Sequence, residues 1–167
     1  VDLLCILRYC SYSACSNCVQ VSALVILSKS NYIGNSQNLI LMCGLSGMLG
    51  APEPSIVKKM IQAQNHRGPD GSGIWYDESV CLGHARLAIV DLEGSPQPIQ
   101  SQEGNVLIAN GEIYNFESIR SSMADYSWTT FGDSETILAL YEKSIGSNPM
   151  ASAKDHGDWI DQLDGMF

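Results

Sequence analysis

From residue 43 onward, apolar and polar positions fall into short blocks separated by glycine- and proline-bearing turns. Residues 43–49 form a short apolar run punctuated by glycine, which predicts a buried strand. Residues 55–64 place Ile56, Val57, Met60 and Ile61 on one helical face, with Ser55 as the N-cap. Residues 73–76, 80–84 and 86–90 predict strands joined by tight turns, and Gly94, Pro96 and Pro98 mark a loop. A further short strand over 106–109 ends at the turn dipeptide Asn110-Gly111. Asn115 is placed to cap a helix through Met123. Asp133 is placed to cap another through Lys143, with Ile137, Leu138, Leu140 and Tyr141 on its buried side. The stretch 146–158 is polar and is expected to be a surface loop. Strands and helices mix without a regular strand–helix–strand rhythm, so the expected class is α+β with antiparallel sheets.

The first 41 residues have a different character. They hold four of the six cysteines but only three charges, Asp2, Arg8 and Lys29. Cys15 and Cys18 have the close spacing of a metal-ligand pair, but no second such pair follows. Arg8 and the apolar residues 23–27 resemble part of a secretory signal, without a small-residue cleavage site after them. A lipoprotein cleavage before Cys43 would need a small residue where Met42 stands. The Ser-, Asn- and Gln-rich composition of residues 9–28 argues against a spanning helix. The reading that remains is a leader or non-native extension over 1–42, poorly ordered, ahead of a domain over 43–167.

The 167-residue length suits one domain of ordinary size. A formal charge of −9, with no cluster of Lys or Arg, argues against a nucleic-acid partner, because that binding depends on cationic side chains releasing counterions. The chain starts at Val1 and stops at Phe167 after an apolar run, so both ends are expected to be cut.

The candidate chemistry begins at Met42-Cys43-Gly44. Removal of a methionine before Cys43 would leave a thiol and a free α-amine on one residue. An α-amine has a pKa near 8, so it can accept the thiol proton close to neutral pH without a histidine. Downstream follow, in order, Arg67-Gly68-Pro69-Asp70-Gly71-Ser72-Gly73 and His84-Ala85-Arg86-Leu87-Ala88-Ile89-Val90-Asp91. Then come Gln97-Pro98, Asn110-Gly111-Glu112-Ile113-Tyr114-Asn115, Asp133-Ser134-Glu135 and Leu163-Asp164-Gly165-Met166-Phe167. The ordered set closely resembles the N-terminal glutaminase domain of glutamine-hydrolysing asparagine synthetases. These are class II glutamine amidotransferases within the N-terminal-nucleophile hydrolases. The resemblance covers everything after Leu41.

It implies a four-layer αββα sandwich, here incomplete at its C-terminal end, and hydrolysis of glutamine to glutamate and ammonia. Cys43 would be the nucleophile, with the Asn110 side chain and the Gly111 N–H stabilising the oxyanion. Arg86 would hold the α-carboxylate of glutamine, where a planar guanidinium can bind two oxygens. Glu112 and Asp133 would receive the α-ammonium, helped by backbone groups of Leu87, Ala88, Ile89 and Val90. Asn110 and Gly111 would also line the glutamine pocket. The ammonia would serve asparagine synthesis from aspartate in a C-terminal domain in cis, and ATP and Mg are expected only there. No cofactor or metal is expected within these residues. A cytoplasmic protein without membrane contact is implied, and the resemblance leaves room for a homodimer.

Other readings compete. His66 and His84 are read as structural, His156 as part of a polar loop, and Cys81 as packing in an apolar strand. A Cys43–His84 dyad is conceivable on nucleophile chemistry alone. Residues 67–71 lack the Lys-Ser/Thr of a phosphate loop. A non-catalytic glutamine-binding module, with Cys43 blocked by the leader, is a rival from another class. An amidotransferase serving a different acceptor is a third. With residues 1–42 attached, the chain is expected to be inactive.

Overall fold

Turn chemistry and alternating burial together set the architecture, seen in a computed structural model that describes residues 2–8, 22–28, 43–89, 91, 94–146 and 153–167. Strand β3 (Gly44–Leu49) leads into helix α1 (Pro54–Ala63) and the hairpin β4 (Gly71–Tyr76) and β5 (Val80–Arg86). The hairpin turn is closed by Asp77, whose carboxylate accepts the amides of Ser79 and Val80 at 2.7 and 2.8 Å. Then come β6 (Ile99–Gln100), β7 (Val106–Ile108), β8 (Glu112–Ile113), α2 (Phe116–Ser122), α3 (Glu135–Ile145), α4 (Ala153–Ile160) and β9 (Gly165–Met166).

Among the described residues every strand pairing is antiparallel, which bears out the α+β reading at that level. One sheet has the order β3-β5-β4, with Gly44 opposite Ala85 and Gly71 opposite Arg86. A second joins β7 to β6 on one side and to β1 (Asp2–Arg8) on the other, β1 pairing in turn with β2 (Ser22–Ser28). The leader reading otherwise lies outside the described residues, as do the cysteines at 10, 15 and 18. A third small sheet is β8-β9.

The period of 2 along a strand sorts the core. On β5, Cys81 and Ala85 pack against Val57 and Ile61 of α1, while Val80 and Leu82 pack against Val106 and Ile108 of β7. The intervening Leu107, with Ala109, turns to the other side, against Ile137, Leu138 and Tyr141 of α3 and Trp159 of α4. The β3-β5-β4 sheet is thus covered by α1 on one face and by β7 on the other. Gly83 is required by this packing, since a Cβ there would lie 2.7 Å from Ile61 and 2.8 Å from Val57.

Several local expectations are corrected. Ser55 is not the N-cap of α1: Pro54 fits the first helical turn, so the helix starts earlier and Glu53 takes the cap. Only Val57 and Ile61 of its apolar stripe are buried, whereas Ile56 and Met60 are exposed. Among the described residues 87–89 there is no separate strand after Arg86. β5 runs unbroken to Arg86 because β3 and β4 pair with it along its whole length. Asn110-Gly111 is not a hairpin turn, because β7 pairs with β6 and β8 with β9. Asn115 does sit at the N-cap of α2, but its side chain ties down the chain end instead. Its Nδ2 donates to the Gln162 carbonyl at 2.9 Å and its Oδ1 accepts the Asp164 amide at 3.0 Å. The polar stretch read as a loop contains α4 from residue 153 onward; residues 147–152 lie outside the described set. His156 is therefore helical, stacked on Tyr141 with ring centroids 6.2 Å apart.

Candidate active site

Cys43 lies just ahead of β3, beside the strand end that carries Arg86 and Leu87. Its half-buried sulfur faces both main-chain groups of Leu87. The Leu87 amide donates to Sγ at 3.3 Å, and the thiol donates to the Leu87 carbonyl at 3.6 Å. Burial pushes the Cys43 thiol above its ordinary value, opposed by the Leu87 hydrogen bond and the Arg86 charge and reinforced by Asp133. Arg86 and Asp133, far apart in sequence, therefore both act on the same sulfur. Gln64, the C-cap of α1, secures the strand next to it. Its Nε2 donates to the Leu45 carbonyl at 3.2 Å and the Ser46 hydroxyl at 2.6 Å, and the bare Gly44 backbone leaves room for that side chain.

The Arg86 guanidinium donates through Nη2 to the main-chain carbonyl of Asp91. The segment after it is pinned by Asp70, whose carboxylate accepts the Ala88 amide at 2.8 Å and whose own amide reaches the Arg86 carbonyl at 3.0 Å. Gly68 belongs to the same junction, since a Cβ there would collide with the Ala85 carbonyl. This gives the Gly-rich stretch 67–71 a structural purpose. Leu87 and Ala88 are half-buried and Ile89 is exposed; Val90 lies outside the described residues.

Asn110 is buried at the end of β7, and its neighbour Ala109 is held from two directions. The Gln97 Oε1 accepts the Ala109 amide at 2.6 Å, and His84 Nε2 donates to the Ala109 carbonyl at 3.2 Å. Gln97 reaches on to the Ser134 hydroxyl at 3.4 Å, so it links the segment before Asn110 to the start of α3. Gly111 is close-packed under the chain end, where an added Cβ would collide with Met166 and Phe167. Glu112 opens β8 and is half-buried.

Asp133 is buried, yet its side chain does not cap α3, as the sequence had suggested. Its Oδ2 accepts the Ile113 amide at 2.8 Å, which joins it to β8, and Ser134 takes the N-cap position. The carboxylate is thus taken by a buried backbone donor from another element, which a local capping rule does not see. The loop leading to Asp133 is held on two sides. Glu135 accepts the amides and hydroxyls of Thr129 and Thr130 at 2.7–2.8 Å. Arg120 donates to the carbonyls of Thr130 and Gly132 at 2.6 and 3.1 Å while stacking on Trp128.

His84 does not form a dyad with Cys43: its ring faces β7, and burial lowers its pKa to about 4, so it is a neutral tie between the sheets. Cys81 is wholly buried against α1. Sequence reasoning missed Gln64 and Arg120 and gave no role to Asp91, Gln97 and Glu135, although these three lie within the motifs; all five act through tertiary hydrogen bonds that no spacing rule encodes. Among the described residues, no group of three or more His, Cys, Asp or Glu side chains is arranged to hold a metal ion. No helix among them is long and apolar enough to cross a membrane.

Comparison with known proteins gives a consistent result. Residues 42–167 match the family described as glutamine amidotransferase domain. A glutamine-hydrolyzing asparagine synthetase of Asparagus officinalis is 36% identical over 133 residues, covering 75% of this chain and 20% of that protein. The corresponding protein of Zea mays is 35% identical, with 75% and 21% covered. Asparagine synthetase B of Escherichia coli (strain K12) is 36% identical, with 75% and 22% covered. The chain spans about a fifth of the length of these relatives.

Proposed function

This chain belongs to the family of glutamine amidotransferase domains, and from that premise we propose that it hydrolyses glutamine with Cys43 as the nucleophile. The observation that carries the reading is the Cys43 sulfur, held between the two main-chain groups of Leu87 within the fields of Arg86 and Asp133. A thiol whose pKa is raised by burial enters the reaction protonated and needs a base. The α-amine of Cys43 itself, once residue 42 no longer acylates it, has the basicity for that task.

As the amine takes the thiol proton, sulfur bonds to the side-chain amide carbon of glutamine and the carbonyl electron pair moves onto oxygen. The Asn110 side chain and the Gly111 N–H stabilise that oxyanion, at about 3 kcal/mol for each donor. Collapse restores the carbonyl and expels the nitrogen, which takes the proton from the ammonium and departs as ammonia. Water then attacks the thioester, one of its protons passing to the amine. Glutamate leaves as the thiolate departs and is reprotonated. Arg86 binds the α-carboxylate, while Glu112, Asp133 and backbone groups of residues 87–90 take the α-ammonium. The packing of α1, two sheets and α3 supports a four-layer αββα arrangement.

The ammonia would serve asparagine synthesis from aspartate in a C-terminal domain in cis, where ATP and Mg would bind. The small share of the relatives that this chain covers supports that arrangement. A cytoplasmic site of action belongs to the same proposal. The test is a Cys43→Ala substitution in the full-length protein. Glutamine hydrolysis should vanish while ammonia-dependent synthesis persists, since free ammonia bypasses the thiol. A variant that still hydrolyses glutamine at the parent rate would end the assignment.

A further inference from the structure

The two charged groups assigned to the amino-acid end of glutamine, Arg86 and Asp133, belong to segments that are remote in sequence. An α-amino acid carries its carboxylate and ammonium on one carbon, so its recognition depends on the spacing between the two anchors. Asp91 touches both segments. Asp91 accepts the Arg86 guanidinium on its main-chain carbonyl. Through its carboxylate it accepts the Phe131 amide at 3.3 Å, two residues before Asp133, together with the Ser95 hydroxyl and the Gly94 amide at 3.1 Å.

We propose that Asp91 is a positioning residue that sets the distance between the Arg86 and Asp133 anchors, and so determines affinity for the α-amino-acid head of the substrate. The inference rests on the glutamine-hydrolysing reading above. Its surroundings are built for the purpose. Asp91 is in the left-handed region, at φ 49°, which Asp tolerates better than most residues and which turns carbonyl and carboxylate to opposite partners. Gly94 is bare where a Cβ would lie 2.6 and 2.7 Å from the two Asp91 carboxylate oxygens. Gly132 is bare where a Cβ would collide with Ser95. The far side of the Phe131 loop is already fixed by Arg120 and Glu135, so the position of Asp91 relative to that loop is transmitted to Arg86.

The proposal separates head-group binding from thiol chemistry, and two reagents read them apart. A glutamine-shaped diazoketone must dock its amino-acid head before it alkylates Cys43, whereas iodoacetamide has no such head. In the full-length protein, Asp91→Ala and Gly94→Ala should each slow diazoketone labelling by about tenfold or more and raise KM for glutamine with little change in kcat. Iodoacetamide labelling should stay within about twofold of the parent, and Asp91→Asn, which keeps one carbonyl acceptor, should fall between parent and Ala. Parent-like diazoketone labelling in both Asp91→Ala and Gly94→Ala would overturn the inference alone, as would an equal slowing with both reagents in Asp91→Asn. A parent protein alkylated by iodoacetamide but inert to the diazoketone would overturn the glutamine reading and this inference with it.

Discussion

Nε2 of His84 donates to the carbonyl of Ala109 across 3.2 Å, so the end of β5 is tied directly to the residue before Asn110. The other ring nitrogen, Nδ1, is buried without a hydrogen-bond partner. A protonated ring would carry an unpaired charge there beside Arg86, and its pKa falls from 6.5 to about 4. The folded chain thus refuses a proton that the unfolded chain accepts between those values. This contribution to stability is complete above pH 6.5 and is lost as pH falls toward 4. Unfolding measured at pH 7 and at pH 4.5 should differ by roughly 2 kcal/mol more in the parent than in His84→Gln, which keeps a donor for Ala109. Equal pH sensitivity of parent and variant would contradict the neutral-tie assignment.

The Cys43 thiol offers a second pH-dependent readout. Its strongest influence is burial, which raises the pKa, while Leu87 and Arg86 pull it down and Asp133 pushes it up. Alkylation at pH 8 should be slower than for a free cysteine. Removing the cation with Arg86→Ala should slow it a further several-fold, and Asp133→Asn should speed it modestly. The comparison needs rates across pH, because an accessibility change alters the plateau and a pKa change shifts the midpoint.

How much of this was legible in the sequence depended on how local each feature is. Strands β3 and β7 were recoverable as short apolar runs bounded by turn residues, and helix α3 through the helical spacing of its apolar positions. Strands of two residues, β6, β8 and β9, have no periodicity to read, and they exist because partners are brought to them. Helix α4 was hidden by Gly157 and a polar composition; the buried Trp159 against Tyr141, at 5.9 Å between ring centroids, is what seats it. The role of Asp133 as a cap was a sound local inference defeated by the Ile113 amide, a donor 20 residues away. Cys43, Arg86, Asn110 and Asp133 stood out through their motifs. Asp91, Gln97 and Glu135 lie in the same motifs, but their supporting contacts are visible only once the chain is folded.

Glu135 tests whether that support is structural. It is fully buried and takes both hydroxyls and both amides of Thr129 and Thr130. Hydrogen bonds to a charged acceptor contribute roughly 1.5–3 kcal/mol each, but their removal is not additive. Glu135→Ala strands these donors and opens a void, so a loss of about 3–5 kcal/mol is expected. Glu135→Gln keeps one carbonyl acceptor and should lose less. Thermal unfolding ranks the variants, and a Glu135→Ala protein as stable as Glu135→Gln would show that the loop is held by something else.

The last prediction concerns the bond between residues 42 and 43. In the mechanism above, the base that activates the thiol is the nitrogen of the same residue. As an amine that nitrogen has a pKa near 8, so it can share a proton with a thiol near neutral pH. As a peptide nitrogen it has delocalised its lone pair into the carbonyl and accepts no proton. Among the described residues no side chain stands in for it: His84 is committed to Ala109, and the hydrogen-bond acceptor at the Cys43 sulfur is the weakly basic Leu87 carbonyl. Burial makes matters worse by holding the thiol protonated. Two proteins separate the cases, one beginning at Cys43 and one retaining residues 1–42, both carried through to the natural end of the chain. The first should hydrolyse glutamine; the second should be slower by at least about a hundredfold, since general-base assistance contributes that much. Both should perform ammonia-dependent synthesis, which keeps the comparison from being a test of folding. Equal glutamine turnover, with mass spectrometry confirming that residues 1–42 are still attached, would rule out the α-amine as the base.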